Sequence, residues 1–221
     1  MNMNSKKNDY VELVGGERFY WDNPVFPIRS MAISLSRIPR FTGHFKEEVE
    51  HYSVLQHCLL VSHLSPYPLE GLLHDWPEAI VNDISSPIKR LLPNYRDFED
   101  SIYRPLAHRY GLPLSISPET GKADMEALII EANAIMHGGG RDYVCYDEYK
   151  YALDKQIAIL PLYPREAFEA FCIRWKQLTG EDIEPMALPL PRVHIIRAAT
   201  PLPEESQLSY ACHSGIECSD S

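Results

Sequence analysis

The range Tyr52–Asp83 constrains the fold more than any other part of the chain, because ionisable side chains interrupt apolar helical sequence there. His57 lies in the run SVLQHCLLV, and the pair His74-Asp75 ends the apolar run Leu69–Leu73. Ionisable groups are rarely buried unless they are paired or bind a metal ion. The fold must therefore supply partners for these side chains.

Helical periodicity dominates the rest of the chain. Ser53 followed by Gln56 has the form of a capping box and predicts a helix that ends near Leu64. Further helices are predicted at 30–38, 68–75, 77–82, 95–110, 118–136, 147–160 and 165–178. Pro105 predicts a kink or a break, and 85–87 predicts a turn. No alternation of strand and helix patterns is present, so the predicted fold class is all-α.

Both ends of the chain differ from this helical middle. Residues 1–29 predict a short irregular N-terminal arm with one short strand at 17–21. Residues 30–180 predict the helical domain. Residues 181–221 are rich in Pro, Ser and Glu and predict a mobile tail, with a lone strand at 193–198.

The charge balance bears on the partner. With 21 Lys and Arg against 31 Asp and Glu, the formal net charge is −10. Nucleic-acid polymers are therefore not expected as partners, since binding them draws on clustered cations. A small anionic substrate stays compatible with this charge, because a metal and a few local cations reverse the potential inside a pocket.

Cysteine usage and hydropathy bear on the compartment. The five cysteines are odd in number and contain no C-x-x-C pair, which argues against a disulfide framework and a cysteine-rich zinc site. Cys58 and Cys172 are predicted to be small buried hydrophobes. No stretch has the pattern of a signal peptide or a membrane span, so no membrane contact and a cytoplasmic location are predicted.

The ligand-type residues suggest a metal centre. His57 and the pair His74-Asp75 lie on separate predicted helices and can converge, and Asp124 adds a carboxylate from a third. Two histidines and two carboxylates suit Mn, Fe, Co, Ni or Zn, and Mg less naturally. Taken singly, each feature is better explained as a core histidine or a surface pair. Taken together, and in apolar surroundings, these residues favour a bound metal ion over those two explanations.

Several spaced motifs, taken in order, resemble those of the HD-domain metal-dependent phosphohydrolases. Within that class the chain is similar to the YfbR-like 5′-deoxynucleotidases and to phage and bacterial deoxynucleotide (dATP) triphosphohydrolases. The motifs here are Arg40-Phe41, YSVLQH (52–57), HDWPE (74–78), DISSPIK (83–89) and KAD (122–124). The resemblance covers about residues 30–135 and implies an HD-domain helical bundle.

This resemblance implies roles for six residues. His57, His74, Asp75 and Asp124 would bind the metal, and Glu78 and Asp83 would be the acid/base and water-orienting carboxylates. For Glu78 an alternative stays open, since an acidic residue is also favourable in the first turn of a new helix.

Six further residues are predicted to contact the substrate. Arg40 would clamp a phosphate through its planar fork of donors, and Phe41 would stack on a base or sugar. The remaining predicted contacts are His44, Trp76, Lys89 and Lys122. Trp76 stands where the family would have a small residue, which bears on substrate choice.

The expected activity is hydrolysis of phosphate esters of deoxynucleotides. The product would be triphosphate from a dNTP or phosphate from a deoxynucleoside 5′-monophosphate, and the residues do not separate the two. Two alternatives stay open: an HD phosphodiesterase or alarmone hydrolase, and a catalytically idle module that binds nucleotide. The resemblance also implies a homo-oligomer.

Overall fold

Helices, counted together with two short 3₁₀ segments, form just over half of the residues that a computed structural model describes, which are residues 9–187. They are α1 (Ile28–Arg37), α2 (Val54–Leu64), α3 (Pro68–Leu73), α4 (Glu78–Val81), α5 (Ser86–Lys89), α6 (Tyr95–Tyr110), α7 (Pro118–Ile135), α8 (Tyr146–Tyr149) and α9 (Pro164–Thr179). Two 3₁₀ segments occur at Arg40–Gly43 and Lys150–Lys155. The predicted helical class is confirmed. No described helix is both long and apolar enough to cross a bilayer.

Helix α2 lies at the centre of the fold and contacts α1, α3, α7 and α9. It begins where predicted, because the Ser53 side chain accepts a hydrogen bond from the Gln56 amide at 3.1 Å. The second hydrogen bond of a capping box, from the Ser53 amide to the Gln56 side chain, is not found among the described hydrogen bonds. The Gln56 side chain instead donates to the Leu160 carbonyl at 2.6 Å and accepts from the Leu162 amide at 3.0 Å.

The main core lies between α1, α2, α3, α6 and α9, and the N-terminal arm contributes to it. Strand β1 (Val11–Glu12) pairs antiparallel with β2 (Arg18–Phe19), within the region where a strand was expected. The Phe19 and Phe26 side chains of the arm are buried in this core. A smaller apolar cluster, Val61 with Ala123 and Ala127, joins α2 to α7.

Two local predictions are wrong, and of the kink or break predicted at Pro105 the break does not occur. The helix expected over 147–160 ends as the 3₁₀ segment Lys150–Lys155, and Gln156 follows with φ 53°. The chain there runs on to meet the Gln56 side chain, so a tertiary contact replaces the helix. The expected turn at 85–87 is the start of α5. Helix α6 continues through Pro105 without a break.

The first residues of the predicted tail pack against the helical unit. The Arg29 guanidinium donates to the carbonyls of Glu184 and Pro185 at 3.0 and 2.9 Å. Ile183 and Met186 are partly buried against the core. The tail beyond residue 187, with the strand predicted at 193–198, lies outside the described residues.

Close packing of α3 on α2 depends on Gly71, because a Cβ there would lie 2.9 Å from the Val61 carbonyl oxygen. We expect Gly71→Ala to lower the free energy of unfolding by about 1–3 kcal/mol. Gly121 is the matched control: it is helical, and its Cβ would meet nothing within 4 Å. Gly121→Ala should stabilise by about 0.5–1 kcal/mol. Urea denaturation of both variants checks this, and equal effects would contradict it.

Candidate metal centre

The first ligand-type side chain, His57, is fully buried on α2. Its Nδ1 lies 2.7 Å from Glu131 Oε1 on α7. A carboxylate at this distance accepts the Nδ1 proton, so in the neutral ring the other nitrogen is left with its lone pair. His57 Nε2 therefore faces the site as an acceptor or a metal ligand.

His74 and Asp75 follow the last residue of α3. His74 keeps helical backbone angles, with φ −63° and ψ −39°, and its Nδ1 lies 2.9 Å from the Gly71 carbonyl oxygen. A carbonyl can only accept, so the proton of neutral His74 is on Nδ1 and Nε2 is free to bind a cation. Pro77 then opens the turn that leads into α4.

The four predicted metal ligands lie near one another around the two imidazole Nε2 atoms. His57 Nε2 lies 3.3 Å from His74 Nε2, 3.4 Å from Asp75 Oδ2 and 3.1 Å from Asp124 Oδ1. His74 Nε2 lies 3.2 Å from Asp75 Oδ2 and 3.9 Å from Asp124 Oδ1. Three helices or their ends therefore bring two imidazole nitrogens and two carboxylate oxygens together.

These distances fit the coordination shell of one ion. Ligand atoms bound at about 2.1 Å are separated by about 3.0 Å along an octahedral edge and about 3.4 Å along a tetrahedral edge. The four shorter separations, from 3.1 to 3.4 Å, fall in that interval. The two anchored Nδ1 atoms are a second match, since metal-binding histidines usually donate their other N–H to an oxygen.

Within residues 9–187, two overlapping groups of side chains could hold a metal ion. One is His57, His74 and Asp124, and the other is Cys58, His74 and Asp75. Burial raises the pKa of the Cys58 thiol to about 11, so it is protonated at neutral pH. Cys58 is fully buried, as predicted, but its contact with the site was not predicted from the sequence.

Glu131 is the main site residue that sequence reasoning missed. It is fully buried on α7, and besides His57 it accepts a hydrogen bond from the Tyr52 hydroxyl at 3.0 Å. Its other oxygen lies 3.6 Å from the Arg40 guanidinium. The signal was present, because Glu131 stands in the apolar run ALIIEANAI two helical turns after Asp124.

Arg40 lies close to this centre, in the 3₁₀ segment Arg40–Gly43. Its guanidinium is 3.8 Å from Asp75 Oδ2, and its side chain is only 12% exposed. Its Nε has no hydrogen-bond partner among the described residues. Phe41 adopts φ 51° and places its ring 5.5 Å from the guanidinium carbon. Arg40 thus keeps a buried donor available beside the carboxylates.

The carboxylates of the site differ in their affinity for protons. Burial raises the pKa of Glu78 well above its ordinary value, and the charges of Asp75 and Asp83 raise it further. Burial acts in the same direction on Asp75, but the nearby His74, His57 and Arg40 outweigh it and lower the pKa of that carboxyl. Asp75 is therefore ionised where Glu78 can hold a proton.

Lys89 is bound to two carboxylates. Its Nζ lies 3.3 Å from Glu78 Oε1 and 2.7 Å from Glu99 Oε1. Glu78 is 3% exposed, and its Oε2 has no partner among the described residues. Glu99 was not predicted from the sequence. Lys89 thus holds one oxygen of Glu78 and leaves the other free.

A cavity of about 510 Å³ opens beside the centre. One wall comes from α6 and the other from the metal-ligand side, with Lys89 between them. Its lining residues are His74, Asp75, Pro77, Glu78, Lys89, Arg96, Glu99, Asp100, Tyr103, Ser115, Ile116 and Asp124. Carboxylates outnumber cations in this lining, so it favours neutral or cationic groups over bare phosphates.

Five of the six predicted substrate contacts do not line this cavity: Arg40, Phe41, His44, Trp76 and Lys122. The indole of Trp76 is fully buried in the main core, 5.5 Å from the Phe171 ring, because the turn at Pro77 directs it inward. The Lys122 side chain is 60% exposed and lies 4.0 Å from Glu126. His44 is exposed after the 3₁₀ segment. Of the predicted contacts, only Lys89 lines the cavity.

The fold and site define a mainly helical protein with a buried His/Asp cluster that could hold a metal ion. No family model matches the chain. It is 33% identical over 175 residues to the uncharacterized protein YfdR of Escherichia coli (strain K12), which covers 77% of this chain and 96% of YfdR. The chain belongs to the family of YfdR.

A second relative is more distant. An uncharacterized protein of Rhodobacter capsulatus is 28% identical over 120 residues, which is 48% of this chain and 61% of that protein.

Metal binding is the direct test of this geometry. We expect the purified chain to bind one divalent transition metal and Asp124→Ala to weaken binding at least tenfold, because it removes one of four converging atoms. Asp100→Ala is the control, since Asp100 lines the cavity but lies outside the ligand group. Chelator competition measures both affinities, and equal losses in the two variants would contradict the assignment.

Proposed function

We propose that the chain is an HD-domain metal-dependent phosphohydrolase that acts on deoxynucleotides. The observation that carries the proposal is the convergence of His57, His74, Asp75 and Asp124 at distances suited to one ion. These residues occur in the order and spacing of the HD-domain motifs. The mainly helical fold is compatible with an HD-domain bundle, and we propose that architecture as well.

The four side chains would hold a divalent cation, with Mn, Co, Fe, Ni or Zn suited to the donors and Mg less so. Such a cation, when bound, lowers the pKa of water and withdraws charge from a phosphoryl oxygen. Glu131 and the Gly71 carbonyl keep the two imidazoles in the tautomer that presents Nε2.

Glu78 would act as the general acid/base. Its raised pKa suits it to take up and return a proton, and Oε2 is the oxygen left without a partner among the described residues. Lys89 orients the carboxylate through Oε1. Asp83 is the second carboxylate of the proposal, and burial raises its pKa as well.

Arg40 would receive the phosphate. Its guanidinium lies beside Asp75 and keeps an unpartnered buried Nε–H. The acidic cavity along α6 would then receive the uncharged nucleoside, since its carboxylates accept hydrogen bonds from hydroxyl and amino groups. The volume of about 510 Å³ is in the range of small-molecule sites. Self-association stays a prediction from the resemblance.

Turnover of a deoxynucleotide panel tests the proposal. Deoxynucleoside monophosphates and triphosphates are incubated with Mn²⁺ or Co²⁺, and chromatography of the products separates release of phosphate from release of triphosphate. We expect Glu78→Gln to lower kcat by about 10²–10⁴-fold, because it removes the proton acceptor. Metal affinity should stay close to that of the parent chain, because Glu78 lies outside the ligand group.

Lys122→Ala is the control for this panel and should keep full turnover, because its exposed side chain lies outside the cavity. Absence of turnover with every metal in a folded protein would refute the hydrolase. A stoichiometric metal without turnover, together with nucleotide binding, would favour the idle module.

A further inference from the structure

A second buried carboxylate lies one helical turn before His74. Glu70 on α3 is 1% exposed, yet no cation in the part of the chain that the structure describes pairs with it. Its partners are at the start of α7: Oε1 accepts from the Ser117 amide at 2.7 Å, and Oε2 accepts from the Ser117 hydroxyl at 2.5 Å and the Thr120 hydroxyl at 2.6 Å. Glu70 thus joins α3 directly to α7.

The hydrogen bonds around Glu70 run in one direction. The Thr120 hydroxyl donates to Glu70, so the Ser65 hydroxyl, 2.9 Å away, donates to Thr120. Ser65 Oγ in turn accepts from the Tyr67 amide at 3.0 Å. All of these donors end on the Glu70 carboxylate, so each hydroxyl in the network has a partner for its proton.

The same two helices carry ligands of the metal centre one turn further on. His74 follows Glu70 by four residues, and Asp124 follows Thr120 by four. Residues four apart lie on one face of a helix, and His74 keeps helical backbone angles. The contact between Glu70 and Thr120 therefore lies one turn below the contact between His74 and Asp124.

We infer that Glu70 is a positioning residue for the metal centre, which sets the separation of His74 Nε2 and Asp124 Oδ1 through Ser117 and Thr120. This inference rests on the metal centre of the proposed function. Among the described hydrogen bonds, those from Ser117 and Thr120 to Glu70 are the ones that join the start of α7 to α3. Glu70 itself does not touch the ligand atoms, so it acts through the spacing of the helices.

Glu70→Gln changes the network without changing its volume. The amide has one acceptor oxygen and one donor group, whereas both Glu70 oxygens face donors. With its oxygen on the Ser117 amide, the glutamine places its N–H groups against the two hydroxyls, which must turn to accept. Ser117 and Thr120 then lose the charge-assisted hydrogen bonds that they donate to Glu70, so the start of α7, and Asp124 with it, is held less firmly against α3.

The test measures Co²⁺ binding to the full chain by chelator competition, together with the visible absorption spectrum of the bound ion. We expect Glu70→Gln to raise the Co²⁺ dissociation constant about tenfold or more and to change the spectrum, as loss of supporting contacts does at metal sites. Glu126→Gln is the matched control. Glu126 is also buried on α7, two residues after Asp124, but pairs with Tyr151 and Lys155.

A merely structural role would lower the Tm of both variants and leave Co²⁺ binding alike in both. Unchanged affinity and spectrum in Glu70→Gln would overturn the inference and leave the metal centre standing. Absence of Co²⁺ binding by the parent chain would overturn both.

A second pair of variants covers the case in which Glu70→Gln does not fold. Thr120→Ser keeps the hydroxyl that donates to Glu70, and Thr120→Val removes it at similar volume. We expect the parent affinity for Co²⁺ in Thr120→Ser and a severalfold weaker affinity in Thr120→Val. Equal affinities in these two variants would overturn the inference.

Discussion

The burial of a histidine in the central helix is the constraint on which the rest of the structure depends. His57 has no exposed surface, so both ring nitrogens need partners inside the protein. Glu131 satisfies Nδ1, and Nε2 points to a space bounded by His74, Asp75 and Asp124. Helices α3 and α7 both pack against α2 and also contact each other, and the distances in the candidate centre depend on that packing.

The carboxylates around His57 lie in different electrostatic environments and therefore differ in their affinity for protons. Asp75 lies next to imidazoles and a guanidinium that favour its charge, whereas Glu78, three residues later, is buried with one oxygen free. The turn at Pro77 separates the two by directing Trp76 into the core between them. One short segment thereby presents an ionised candidate ligand and a carboxyl group able to carry a proton, which is the combination that the proposed metal-assisted hydrolysis would use.

Residues with local causes were predictable. Ser53 begins α2 because its hydroxyl caps the helix, and Gly180 ends α9 because it adopts φ 79°. The metal-ligand candidates were also predictable, since ligand-type residues in apolar sequence need compensation. Trp76 shows the limit of this reasoning. Its position next to Asp75 in the chain suggests a role in the pocket, but side chains of successive residues at a turn point in different directions, and its indole entered the core.

The residues alone establish the helical class, the helix starts and stops that capping chemistry controls, and the set of side chains that cannot be buried without partners. Only the packing of the helices against one another decides which partners these buried side chains find. Glu131 for His57, Glu99 for Lys89 and Thr120 for Glu70 are separated along the chain by 74, 10 and 50 positions. Periodicity reports the face of a helix on which a residue lies, but the neighbour that meets that face depends on long-range contacts between helices.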